Sequence, residues 1–370
     1  IVSRKRSSDW MNAFLLLEES SVPTLFDSLQ IGPLTLPNRI IMSPLTRLRG
    51  TPEHLPTGLM PEYYAQRASA GLIVSEGIPI DPMGVGYPQV PGLWSEEQAV
   101  LWKPVTEAVH KAGGRIFAQI WHVGRISDPV YLNGKEPVAP SAIAATGHVS
   151  LLRPMKEFEV PRALDAAEIP GIIAAYGRGA KLAVQAGFDG VELHGANGYL
   201  LDQFLQDGTN HRTDAWGGTL EKRARLMLEA ADAACEAIGA ERVAMHLAPR
   251  GDAHGMSDSN PAETFGYVAR EMGKRKLAFL MAREHEGPDW LGPSLKQQFG
   301  GVYIANEGFT LETAEAVVER GEADAVAFGR MFLANPDLPE RFAKKAALNA
   351  PIPETFYGHG KEGYTDYPTL

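Results

Sequence analysis

Short continuous apolar runs alternate along this chain with longer stretches whose apolar residues recur at helical spacing. The short runs are "RIIMSPL" (39–45), "GLIVSEG" (71–77), "RIFAQIWH" (115–122), "GVELHG" (190–195), "RVAMHLAP" (242–249), "LAFLMARE" (277–284), "GVYIAN" (301–306) and "AVAFGR" (325–330). They do not alternate apolar with polar, so they read as strands covered on both faces. Between them lie amphipathic segments such as "EEQAVLWKPVTEAVHKAG", with basic residues in its last turn and a closing Gly113. "IPGIIAAYGRGAKLAVQAG", "LEKRARLMLEAADAACEAIG", "PAETFGYVAREMGKR" and "TLETAEAVVERG" behave alike. Eight β-then-α units predict an α/β fold, a closed parallel (β/α)8 TIM barrel, ahead of an open doubly wound sheet.

Two long loops interrupt the alternation. Residues 123–165 are rich in Pro, Gly and Ser and separate the third strand from its helix, and "RGDAHGMSDSNP" (250–261) follows the fifth strand. Loops after barrel strands sit on the C-terminal face, where barrel active sites form. Residues 1–22, with basic residues, a short "AFLLL" and then "EESS", read as an N-terminal extension outside the fold. Residues 23–370 read as a single domain.

Composition narrows the function by exclusion. The formal net charge of the 370 residues is -10 and no basic stripe is present, which argues against nucleic acid as partner. One cysteine, Cys235 on an alanine-rich helix, excludes a disulfide framework and a cysteine metal cluster. No apolar run reaches the ~18 residues of a membrane span. A cytoplasmic protein, monomer or homodimer, acting on a small molecule is expected. There is no P-loop and no G-x-G-x-x-G between strand and helix, so a nicotinamide cofactor would not be held by a Rossmann unit.

The polar residues fall at one end of the strands. The first strand delivers Pro44 and Thr46, the second Glu76 and Gly77, the third Gln119 and His122. The fourth delivers His194, Asn197 and Tyr199, the fifth His246, the seventh Asn306, Glu307 and Gly308, the eighth Gly329 and Arg330. A packed barrel interior has no use for such a rim. The ends of strands 7 and 8 match the usual barrel phosphate site, with backbone N–H groups and a guanidinium. Gln119 and Thr46 suit the edge of a planar heterocycle. His194 and Asn197 offer two donors to one oxygen, with Tyr199 as a nearby proton source.

"NRIIMSPLTR", "YYAQRASAGLIVSEG", "AQIWHVGRIS", "HGANGYLLDQFLQDGTNHRTDAWGG", "DAVAFGRMFLANPDL" and "EGYTDYP" together resemble the old yellow enzyme family of FMN-dependent ene reductases. They are most similar to its bacterial xenobiotic and N-ethylmaleimide reductase branch, from about Leu25 to the C-terminus. The resemblance implies that Pro44, Thr46, Gly77, Gln119 and His246 contact FMN, and that Asn306, Glu307, Gly308, Gly329 and Arg330 hold its phosphate. It implies that His194 and Asn197 bind the substrate's activating oxygen, that Tyr199 donates the proton, and that Tyr357 lines the substrate pocket. NADPH or NADH would be the electron donor in ping-pong turnover, and enones, maleimides and nitrate esters or nitroaromatics the acceptors.

Two positions depart from the family. His246 stands where most relatives carry Arg, so its charge is not guaranteed at neutral pH. Glu307 stands where glycine is common, so its carboxylate must turn away from a phosphate. Rival readings are another FMN barrel dehydrogenase or oxidase, a metal hydrolase built on His122, His194 and His246, and a non-catalytic flavin-binding scaffold.

Overall fold

The computed structural model describes residues 22–370. The extension expected over residues 1–22 lies outside the described residues except for Val22. Eight strands close into a barrel: β1 (Ile40–Met42), β2 (Ile73–Pro79), β3 (Ile116–Trp121), β4 (Gly190–Gly195), β5 (Val243–Leu247), β6 (Phe279–Arg283), β7 (Tyr303–Asn306) and β8 (Ala325–Phe328). Each pairs in parallel with its neighbours in sequence, and β8 returns to β1. The expected eight-stranded α/β barrel is therefore the fold, each strand lying within or close to its predicted run.

The continuous apolar runs divide by parity. Ile41, Val74, Phe117, Ala244, Met281 and Ile304 form one buried cluster with the hairpin Leu29–Ile31/Leu34–Leu36. Their alternate neighbours Ile40, Ile73, Ile116, Ala118, Val243 and Leu280 belong to another, which packs outward against the helices. Successive residues of a strand point to opposite faces, so the first cluster is the barrel interior. Fully burying one such side chain is worth roughly 1.5–3 kcal/mol. Counting on by two from the interior residues reaches Ser43, Gln119, His246, Arg283 and Asn306. The inward row turns from apolar to polar toward the strands' C-terminal ends, and that change places the site.

Helices follow the strands as the spacing predicts. Glu96–Lys111 starts at a capping box, in which Ser95 and Gln98 satisfy each other's backbone N–H groups. Ile169–Gln185, Leu220–Ile238, Pro261–Arg275 and Leu311–Glu319 match four more predicted segments. Loop 123–165 has structure of its own. Val138–Ala139 pairs in parallel with Arg162–Ala163, and Val123, Ile126, Leu132, Val149 and Phe158 pack with Trp121 and Tyr199.

The C-terminal tail is tied back over the barrel rim by three buried arginines. Arg47 Nη2 donates to Gly363 O (2.6 Å), Arg49 Nη2 to Glu362 O (3.1 Å) and Arg67 Nη2 to Tyr364 O (3.5 Å). Tyr63 and Tyr364 stack with ring centroids 4.0 Å apart between these guanidinium groups. The tail thereby carries Tyr357 to the mouth of the barrel.

Candidate active site

A cavity of about 630 Å³ opens at the C-terminal mouth of the barrel, within the ~300–1,000 Å³ typical of small-molecule and cofactor sites. Pro44, Thr46, Gln119, His194, Asn197, Tyr199, His246, Asn306, Glu307, Gly308, Gly329, Arg330 and Tyr357 all line it. Gly77 does not. A Cβ on Gly77 would lie 2.4 Å from the Trp121 ring, so this glycine is required by Trp121. Loop 123–165 contributes no lining residue either; it backs the site by packing behind Trp121 and Tyr199.

At one wall, strand register sets Gln119 beside Glu192 and His194 beside His246. Trp121, His194 and His246 form a stacked row, with ring centroids 5.8 and 5.4 Å apart. Glu192 is fully buried, and its Oε1 accepts from Gln119 Nε2 (2.8 Å) and His246 Nδ1 (3.2 Å). A buried carboxylate needs such partners. Because the carboxylate only accepts, Nδ1 of His246 must carry a proton, and Nε2 is left without a protein partner. Gln119, with its nitrogen committed to Glu192, offers the cavity its carbonyl oxygen.

The turn after β4 builds a second group. Asn197 (φ +59°) and Gly198 (φ +77°) adopt left-handed backbone, and they make the bend. Gly195 serves a different end, since a Cβ there would lie within 3 Å of Met227 and Met245. The turn is held by Asp202, which accepts from the Gly198 N–H (2.9 Å), and by Gln203, whose Nε2 donates to Gly198 O (2.6 Å). It brings Asn197 Nδ2 to 3.4 Å from His194 Nε2. Burial, reinforced by the charges of His246 and Arg283, pushes His194 well below the ordinary histidine range, so it is neutral. Its buried Nδ1 has no partner. An unpaired acceptor is tolerated better than an unpaired N–H, so the proton belongs on Nε2. Both nitrogens then donate toward one point.

Tyr199 is buried, and its hydroxyl shares a 2.6 Å hydrogen bond with Tyr87. Burial, with the neighbouring Tyr87, raises its phenol well above the usual tyrosine value. The far wall carries the loop after β7. Glu307 (φ +97°) and Gly308 (φ +79°) are both left-handed, a conformation that costs a non-glycine residue roughly 1–3 kcal/mol. The Glu307 carboxylate pairs with Arg283 and faces His285 at 3.6 Å, as a carboxylate turned from a phosphate requires. The Asn306 side chain is a brace: Nδ2 donates to Ser43 Oγ (2.7 Å) and Ala327 O (2.9 Å). Arg330 is exposed; its charge acts on Glu307, but among the described residues it makes no ion pair within 4.0 Å.

Sequence reasoning missed Tyr87, Trp121, Glu192 and Arg283. Glu192 and Trp121 share the inward parity of His194 and Gln119, and Arg283 ends β6, so three were reachable by counting along strands. Tyr87 lies on a loop with no pattern to mark it. His122 is buried, lies outside the cavity lining and accepts from the Gly124 N–H; burial lowers it to about 4. Among the described residues no three His, Cys, Asp or Glu side chains group as a metal site, which removes the support for a hydrolase on His122, His194 and His246. No helix among them is long and apolar enough to cross a membrane.

The residues fit an FMN-sized planar ligand with an anionic tail. Among those lining the cavity, His194 Nδ1, His246 Nε2 and Trp121 Nε1 are buried without protein partners, and the exposed Arg330 also lines it. Buried polar atoms are rarely left so.

Comparison with known proteins gives the same assignment. Residues 24–349 match the NADH:flavin oxidoreductase / NADH oxidase family. A probable flavin mononucleotide-dependent alkene reductase of Leishmania infantum is 40% identical over 95% of this chain and 98% of its own length. The old yellow enzyme homologue of Zymomonas mobilis superposes with a TM-score of 0.91 at 46% identity, covering 94% of this chain and all of that one. Morphinone reductase in complex with tetrahydroNAD gives 0.91 at 48% identity, over 94% and 98%. The chain belongs to the NADH:flavin oxidoreductase / NADH oxidase family, as an FMN oxidoreductase of the old yellow enzyme type.

Proposed function

We propose that residues 23–370 form a single FMN-binding domain that reduces activated C=C bonds in enones and maleimides, and also nitrate esters or nitroaromatics, with NADPH or NADH as donor. The cytoplasm is its expected setting, as monomer or homodimer. The carrying observation is the approach of Asn197 Nδ2 to His194 Nε2, 3.4 Å apart and beside the protonated Tyr199. Gln119 Oε1, Thr46, Pro44 and His246 would hold the flavin ring, and Arg330 with the backbone of residues 306–308 and Gly329 its phosphate. When bound, FMN supplies hydride taken from the nicotinamide.

The electrophile's oxygen would accept from His194 and Asn197. These bonds strengthen as charge moves onto that oxygen, so they favour the transition state over the ground state. Tyr199, fully protonated at neutral pH, would deliver the proton to the α-carbon; general acid help of this kind is worth roughly 10²–10⁴-fold. Trp121 packs edge-on against its ring and Tyr87 bonds its hydroxyl.

The test is stopped-flow of each half-reaction in the purified holoenzyme. Flavin absorbance should bleach with NADPH or NADH and return with 2-cyclohexenone, N-ethylmaleimide or glycerol trinitrate. His194→Ala should weaken phenol binding. Reduced enzyme reoxidised by none of the three acceptors would overturn the reading.

A further inference from the structure

Arg283, at the end of β6, joins two parts of the rim that the sequence treats separately. Its Nη1 donates to Asn197 Oδ1 at 2.9 Å, and its Nε pairs with the Glu307 carboxylate. Glu307 is held in place from the other side by His285, and β6 is in register with β7, where Arg283 lies beside Asn306. Burial alone would raise the Glu307 carboxyl, but Arg283, His285 and Arg330 hold it below the usual range, so it is an anion that binds Arg283 throughout the neutral region.

A carboxamide has one accepting end and one donating end, and its two flips have almost the same shape. What decides between them is the partner. A guanidinium has donors only. With Oδ1 bound to Arg283, the Asn197 Nδ2 must face His194 Nε2 and the cavity. In the opposite flip, Oδ1 would confront any ligand oxygen and repel it.

We propose that Arg283 is a positioning residue of the oxygen clamp: anchored by Glu307, it fixes Asn197 in its donating orientation and couples the loop after β7 to the turn after β4. The proposal rests on the reading of His194 and Asn197 as an oxygen clamp. It also assigns a use to the strained backbone at Glu307, because a glycine there would leave Arg283 unanchored.

The test is a double-mutant cycle on the holoenzyme, read as the dissociation constant of p-hydroxybenzaldehyde from its charge-transfer absorbance, with FMN content measured alongside. Arg283→Met should weaken the phenol about tenfold, the size of one charge-assisted hydrogen bond. In an Asn197→Ala background the same change should cost nothing further. Arg283→Lys, which keeps the charge but cannot serve both partners, should recover only part of the loss. Full recovery with Lys, or an equal cost in the Asn197→Ala background, would mean a purely electrostatic role and overturn the proposal. Should Arg283→Met release FMN, the cycle runs with Glu307→Gln, where a loss of about threefold is expected, again absent without Asn197; a loss that persists there overturns it. If Asn197→Ala and His194→Ala both leave phenol binding unchanged, the clamp itself is refuted, and that result is seen without touching Arg283.

Discussion

The hydroxyl of Tyr199 lies 2.6 Å from that of Tyr87. The contact spans more than a hundred residues of chain and couples the loop after β2 to the turn after β4. Tyr87 in turn stacks on Trp121 at 5.7 Å, so the position of the Tyr199 proton depends on an aromatic wall from three strand ends.

Tyr199→Phe should therefore slow alkene reduction by roughly 10²–10⁴-fold while flavin reduction by NADPH stays within about twofold. Tyr87→Phe should slow the same half-reaction by a smaller factor. Because burial raises the Tyr199 phenol, alkene reduction in the wild type should show no loss assignable to this group from pH 6 to 9. Stopped-flow of both half-reactions checks this, and equal slowing of both would refute the donor role.

His246 is expected to act on the flavin that the proposed function places beside it. With Nδ1–H committed to Glu192, neutral His246 presents a lone pair at Nε2, and only the imidazolium presents a donor there. Reduction gathers negative charge at the flavin's pyrimidine edge, which a donor stabilises. The groups around the His246 ring are the Glu192 carboxylate, the Gln119 amide and the stacked His194. His246→Arg, whose guanidinium donates at every pH, should therefore raise the flavin potential above that of the wild type. Redox titration of the two holoenzymes at one pH reads the difference; identical potentials would remove the role.

Asp202 sets a pH dependence of stability. Burial pushes its carboxyl up to about 7 from an ordinary 3.8, against the opposing bonds from Gln206 and Gly198. The folded state then binds more protons than the unfolded state between those values, so this group's contribution falls as pH rises from about 4 to 7. Asp202→Asn removes the titration. The new carboxamide can keep the Gly198 N–H on its oxygen and donate to Gln206 once that side chain flips. Thermal melts from pH 5 to 8 should show a gain in relative stability of the variant as pH rises; a constant difference would contradict the assignment.

Gly77→Ala tests what that glycine is for. The added methyl would strike the Trp121 ring, so a cost of about 1–3 kcal/mol is expected from overpacking, together with a disturbed His194. Trp121→Leu should relieve the stability cost in the double variant. If the single variant loses FMN without any loss of stability, and Trp121→Leu does not help, Gly77 acts through the flavin instead.

The barrel was legible in the sequence because burial on both faces leaves eight unbroken apolar runs, and because helices between them carry their own caps, such as Ser95 with Gln98. The rim was legible for a related reason. A polar side chain at the end of an apolar run has no place in a packed core, so His194, Gln119, His246, Asn306 and Arg330 announced a site before their positions were known. Their partners were not announced. Glu192 looked like part of a strand, Arg283 like a solvated end, and Tyr87 like an unremarked loop residue. Which groups meet depends on register between strands distant in sequence, and on turns such as Asn197–Gly198 that reverse a side chain's direction. The sequence by itself determined which residues had to face the barrel mouth. Only the tertiary structure decided that Asn197 points its oxygen at Arg283, that Glu192 holds the proton on His246 Nδ1, and that Gly77 makes room for Trp121, since hydrogen-bond polarity and close packing exist only between groups that folding has brought within a few ångströms.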